Sequence, residues 1–259
     1  MRPSRRSLKT HRAPGFSLIE VVVALTLLSL AAGAMAPVAL RQISGSRQKA
    51  TLDKMQRIVT GLIGDPTLGD HGYIGDNGRL PDNLADLNAR GTQTPYAIDA
   101  TYGIGAGYNG PYVPQAGPVG APFIDSWNSP FGYANTSAQI TSAGPDRTPG
   151  TADDLIYPDA DPVLTGTMNV RVEGIPNDGG PVELLGAAEV DVFFSAVVNG
   201  TRVEAQIPDS DPLFANNLPP GLLGVRVVGE GSYAGSTAQD VVEMRRGTRL
   251  ASLVLEEPP

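Results

Sequence analysis

The chain has 259 residues, 41% hydrophobic and 18% charged, with 31 Gly, 23 Pro and a formal net charge of −8. That length can bury one or two real cores, and the acidic balance speaks against a nucleic-acid partner. With no cysteine and only His11 and His71, disulfides, thiolate metal sites, thiol catalysis and multi-histidine centres are excluded or hard to build, and no enzyme is expected.

The charge is uneven along the chain. Residues 1–15 hold Arg2, Arg5, Arg6, Lys9 and Arg12 and no acid, leaving 14 basic against 27 acidic residues for the rest. A short basic leader therefore precedes an acidic body, the asymmetry of a targeting segment. Val21 to Leu40 follows without a charge. As a helix its 20 residues span roughly 30 Å, the thickness of bilayer hydrocarbon. Ala34-Met35-Ala36 has the small-x-small form of a signal-peptidase site, so an ordinary secretory signal is one reading. Glu20 disfavours it. A carboxylate at the head of an apolar run costs about 2.5–3.5 kcal/mol in the membrane and calls for a partner.

Residues 15–20 read Gly-Phe-Ser-Leu-Ile-Glu. Together with the basic leader and the apolar span, they resemble the prepilin peptidase site of type IV pilins and type II secretion pseudopilins. The resemblance implies cleavage after Gly15 by a prepilin peptidase and N-methylation of Phe16. It also makes Glu20 the fifth residue after the cut, paired with the Phe16 ammonium of a neighbouring subunit. Such a pair would offset two desolvation costs and set the stagger between subunits. Pro37 stands where many family members carry a proline; it removes one backbone donor and can loosen or kink the helix. Basic residues flank the span on both sides (Arg41, Arg47, Lys49, Lys54 and Arg57 follow it), so charge does not orient it. A bacterial inner-membrane location with the body in the periplasm is what the resemblance implies.

Leu52, Met55, Ile58, Val59 and Leu62 recur at helical spacing and extend the helix beyond the membrane. Gly61, Gly64 and Pro66 mark its stop. An alternative is two helices with a break near Pro37 or Gly45. Gly64 to Leu80 reads as turns, with a helical turn at Pro81–Leu87 and His71 as plain surface. Gly75-Asp76-Asn77-Gly78-Arg79-Leu80-Pro81, Gly110-Pro111-Tyr112 and Ile124–Tyr133 resemble segments of major pseudopilins. Trp127 within the last reads as a core anchor, and Tyr133–Ile140 as a strand.

The loop Ser142–Leu155 gathers Asp146, Asp153 and Asp154 between bends. Calcium takes six to eight oxygens from carboxylates and carbonyls in such loops, although EF-hand spacing is absent. Major pseudopilins bind calcium in a similar loop. The resemblance implies a structural Ca²⁺ held by the Ala143 carbonyl, Asp146 and one or both of Asp153 and Asp154. The other reading is a solvated acidic turn.

From about residue 162 the chain alternates and is valine-rich: Thr165–Val172, Glu189–Val198, Arg202–Ile207, Gly224–Val228, Asp240–Met244 and Leu250–Leu255, separated by turn signals such as Asn199-Gly200. This spacing suits an antiparallel β-sandwich. Its order resembles carboxypeptidase regulatory-like, prealbumin-type domains.

The expected fold is thus α+β. A leader (1–15), the membrane half of a long helix (16–40) and a globular head on a small antiparallel sheet (41–161) precede a β-sandwich (162–259). The expected function is a pilin-like subunit that polymerises with itself and other such subunits on a secretion-system inner-membrane platform. The alternative is a secreted or anchored binding protein whose sandwich is the binding domain.

Overall fold

The computed structural model describes residues 17–65, 67–114, 121–208, 212–245 and 247–259. The leader (1–15, ending in Gly15) and Phe16 lie outside them, as does Pro66. Internal contacts divide the chain into two units, Met1–Arg47 and Gln48–Pro259.

Helix α1 runs from Leu18 to Ile63 as one element with Pro37 inside it, so neither Pro37 nor Gly45 splits it. A proline costs a helix one hydrogen bond and does not end it when the flanking turns hold. The helix stops at Gly64, which takes φ +75° and returns its N–H to the Thr60 carbonyl, the left-handed ending that glycine adopts without a Cβ penalty.

The second unit holds two cores. In the first, the expected stripe is buried: Met55, Ile58 and Leu62 are fully enclosed and Val59 nearly so. They pack with Tyr73, Ile74, Leu84, Leu87, Val113, Phe131 and Ile140. Each such aliphatic side chain contributes about 1.5–3 kcal/mol by leaving water. Beside the stripe lies a three-stranded antiparallel sheet of β3 (Gly132–Tyr133), β4 (Ile140–Ser142) and β5 (Leu155–Tyr157). A two-residue ribbon pairs β1 (Ala97–Ile98) with β2 (Gly105–Ala106).

Two local expectations are corrected. Tyr133–Ile140 is a hairpin rather than one strand: Ser137 N–H bonds the Ala134 carbonyl and Gln139 N–H bonds Ser137 Oγ, so the Asn135-Thr136-Ser137 cluster turns the chain. The stretch Gly64–Leu80, read as turns, contains helix α2 (Gly72–Asn77). The Asp70 carboxylate accepts the Gly72 N–H at 2.9 Å, and burial of Tyr73 and Ile74 stabilises a helix too short to persist alone. Leu84–Leu87 forms a 3₁₀ turn.

The second core lies between two four-stranded sheets. One orders β12 (Thr237–Met244), β11 (Gly221–Gly229), β8 (Val190–Val198) and β9 (Thr201–Gln206), all antiparallel. The other carries β10 (Phe214–Leu218), β6 (Gly166–Ile175) and β13 (Gly247–Glu256), with β7 (Glu183–Leu185) also on β6. Met168, Val170, Val172, Leu253 and Leu255 from this sheet meet Val190, Val192, Val225 and Val227 from the first. The sandwich departs from the antiparallel expectation at one pairing, because β13 runs parallel to β6 over ten residues.

Candidate functional site

The N-terminal half of α1 is the candidate assembly site. Its first turn is held by Ser17: the Glu20 N–H reaches Ser17 O at 3.1 Å and Ser17 Oγ at 3.3 Å, and Val21 N–H reaches Ser17 O at 3.2 Å. Serine is a favoured N-terminal cap because its side-chain oxygen accepts an otherwise orphan amide. Glu20 is the acid of the first turn and its side chain is exposed, where the positive end of the helix dipole favours an anion.

Beyond Glu20 the helix is long and apolar enough to cross a membrane, and among the described residues none of its apolar window is buried. Leu18 is 83% exposed and Leu30 78% exposed. The hydroxyls inside the run satisfy themselves: Thr26 Oγ1 donates to the Val23 carbonyl and Ser29 Oγ to the Leu25 carbonyl, each at 2.8 Å. This leaves no hydroxyl proton seeking water, as a lipid environment demands. Ser17, Thr26 and Ser29 were not singled out from sequence, although a serine three residues before a glutamate is a capping-box signal.

Residues 10–36 match the family model described as the prokaryotic N-terminal methylation motif. The chain is pilin-like at its N-terminus. The motif takes in Gly15, Phe16 and Glu20 and ends one residue before Pro37. No curated protein matches the chain. Among solved structures, one titled "Structure of the Streptococcal ancillary pilin" shares 16% identity at a TM-score of 0.23, covering 36% of this chain. The match takes in 33% of that protein's own length.

The globular head binds its loops to the helix around Asp125. This carboxylate is buried; Oδ1 accepts the N–H groups of Trp127 at 2.9 Å and Ser129 at 2.8 Å, and Oδ2 accepts the Ser142 hydroxyl at 2.7 Å. From α1, Thr51 Oγ1 accepts the Ser126 N–H and Lys54 Nζ donates to the Ile124 carbonyl at 2.8 Å. Burial pulls the Lys54 ammonium below its ordinary value, against the opposing charge of Asp125. Trp127 is buried by this clamp, consistent with an anchoring role.

The acidic loop is organised around its own backbone. Asp146 Oδ1 accepts the Thr148 N–H at 2.7 Å, and Asp154 Oδ2 accepts the Gly150 N–H at 2.7 Å. Asp153 accepts the Asp146 N–H and the Thr151 hydroxyl; the latter bond is the main cause holding its carboxyl below the ordinary value. Ala143 lies at the loop's entrance, half-buried. Among the described residues, no group of three or more acidic or histidine side chains is placed to hold a metal ion. As arranged, the three carboxylates each cap a turn of the loop. A rise of several degrees in the thermal midpoint with millimolar Ca²⁺, reversed by EDTA, is the result expected of an ion held in this loop, and an unchanged midpoint is the result expected of a solvated acidic turn.

His71 is not plain surface. Its side chain is 18% exposed and its Nε2 lies 3.9 Å from Glu243 Oε1 of β12. Burial depresses its pKa, with Glu243 and Asp70 opposing.

Proposed function

We propose that this protein is the structural subunit of a type II secretion pseudopilus or a type IV pilus-like fibre. It is cut after Gly15, methylated on Phe16 and polymerised through α1. The observation that carries this reading is the methylation motif leading into a helix whose apolar half is exposed among the described residues. A helix hydrophobic all round needs lipid before assembly and neighbouring helices after it. The subunit is read as resting in the bacterial inner membrane by a single pass, with its head and sandwich in the periplasm, and as working without catalysis. Its partners would be further copies, related subunits, the prepilin peptidase and the inner-membrane platform of the secretion system.

Mass spectrometry of the purified protein tests this directly. The expected first residue is N-methylated Phe16. A mature chain starting at Pro37, after the Ala34-Met35-Ala36 site, would transfer the protein to the secreted or anchored binding class.

A further inference from the structure

Asp76 is a half-buried carboxylate in the last turn of α2, and the groups that bind it are neutral. Its Oδ2 accepts the Tyr112 hydroxyl at 2.9 Å. Tyr112 Oη accepts in turn from the Asn109 N–H at 2.9 Å and the Asn77 amide at 3.4 Å. The Tyr112 ring is flanked edge-on by Tyr73 and Tyr108, with centroids 5.4 Å away in each case. The ionisable groups that face Asp76 are Tyr112 and Asp70, and Asp70 has the same sign of charge. Among the described residues, no lysine or arginine forms an ion pair with it.

The same turn joins the two cores. The Asp76 carbonyl accepts the Gly107 N–H at 2.7 Å, and the Asn77 carbonyl accepts the Gly200 N–H at 2.9 Å. Thr94 Oγ1 reaches the Asn199 carbonyl at 3.4 Å. The tip of the β8–β9 hairpin is therefore seated on the end of α2, next to a carboxylate lacking a counter-charge.

We propose that Asp76 is a proton-operated latch between the pilin-like head and the sandwich: proton uptake on mild acidification tightens the seating of α2 on the β8–β9 hairpin, and proton loss loosens it. The reason is desolvation, since a neutral carboxyl retains an oxygen for the Tyr112 hydroxyl and has no charge to strip of water. Burial pushes the Asp76 carboxyl up to about 6, above its unfolded value. The sign follows: folding stability rises as pH falls through about 6 and levels off below about 4, a gain on the order of 100-fold in the folding constant. His71 opposes this. Its depressed pKa contributes stability that is lost as pH falls through its unfolded value near 6.5. The latch does not depend on fibre assembly.

The test is denaturant unfolding of the full-length protein in detergent from pH 4 to 8, in a His71→Gln background. The expected result is a folding constant at least tenfold larger at pH 4.5 than at pH 7.5. Asp76→Asn should flatten that slope and raise the pH 7.5 value. Exchange of the Gly107 and Gly200 amides, corrected for intrinsic pH dependence, should slow in acid only when Asp76 is present. An unchanged slope in Asp76→Asn would overturn the latch. Should that variant not fold, the carboxyl ¹³C shift of Asp76 in the unsubstituted protein decides: a midpoint near 6 supports the latch, and one below 4.5 removes it.

Discussion

Gly78→Ala is expected to lower the stability of residues Gln48–Pro259 by at least about 2 kcal/mol and to weaken both cores in one transition. Gly78 ends α2 in the left-handed region, φ +71°, with its N–H on the Ile74 carbonyl. A methyl group there would overlap the Val197 carbonyl oxygen of β8. Two costs combine: roughly 1–2 kcal/mol for an L-residue in that conformation, and about 1–3 kcal/mol to move backbone in a packed junction. The neighbouring contacts give little room for relief. Arg202 donates to the carbonyls of Ser195 and Leu222 within the sandwich and to Gly105 in the head. Tyr102 donates to Glu204, which also pairs with Arg226 at 2.9 Å. Gly179→Ala is the control. Its φ is +79°, yet nothing lies within 4 Å of an added methyl, so it should show the conformational cost alone. Thermal unfolding of the two variants separates strain from the junction. Equal midpoints would mean that α2 does not seat on the hairpin as described.

This junction was illegible in the sequence, for a physical reason. Gly78 and Val197 are more than a hundred residues apart, and no periodicity records that two backbones touch. What could be read was local. The stripe from Leu52 to Leu62 repeats at helical spacing and is the buried face of α1. The strands richest in β-branched residues lie close to where alternation placed them, and Asn199-Gly200, both at positive φ, turns β8 into β9 as that dipeptide favours. Helix α2 was missed because Gly72 and Gly75 mask it and burial stabilises it. Strand β10 was missed because Phe-Ala-Asn-Asn-Leu has weak strand character, and its register shifts between Ala215 and Leu218 beside Asn217 at φ +57°. The parallel pairing of β6 with β13 leaves no trace in alternation, since side chains alternate the same way in either orientation. The N-terminal methylation motif was the most legible part. Its signal is linear, a glycine, a phenylalanine and a glutamate at the head of an apolar run, and it needs no tertiary contact to be written.

Glu20→Ala is expected to leave membrane insertion intact and to reduce fibre assembly at least about tenfold. Insertion should survive because the substitution removes the one charge from the head of the span and so lowers its transfer cost. Assembly should not, under the proposed pairing of Glu20 with the Phe16 ammonium of the next subunit. In a bundle of apolar helices a desolvated ammonium left without its carboxylate is more costly than either the pair or two apolar groups. The exposed position of Glu20 in the first turn of α1 leaves the carboxylate available to another chain, because Ser17 already caps the Glu20 amide through its hydroxyl. Glu20→Gln separates charge from hydrogen bonding: it keeps an acceptor oxygen and loses the charge, so it should assemble as poorly as alanine. Glu20→Asp keeps the charge on a shorter arm and should recover part of the assembly. Fractionation measures insertion, and shearing or pelleting measures the fibre. Wild-type fibre yield from Glu20→Gln would show that the carboxylate charge does not set the register of the helices, and the contact between copies would then rest on apolar packing along α1 alone.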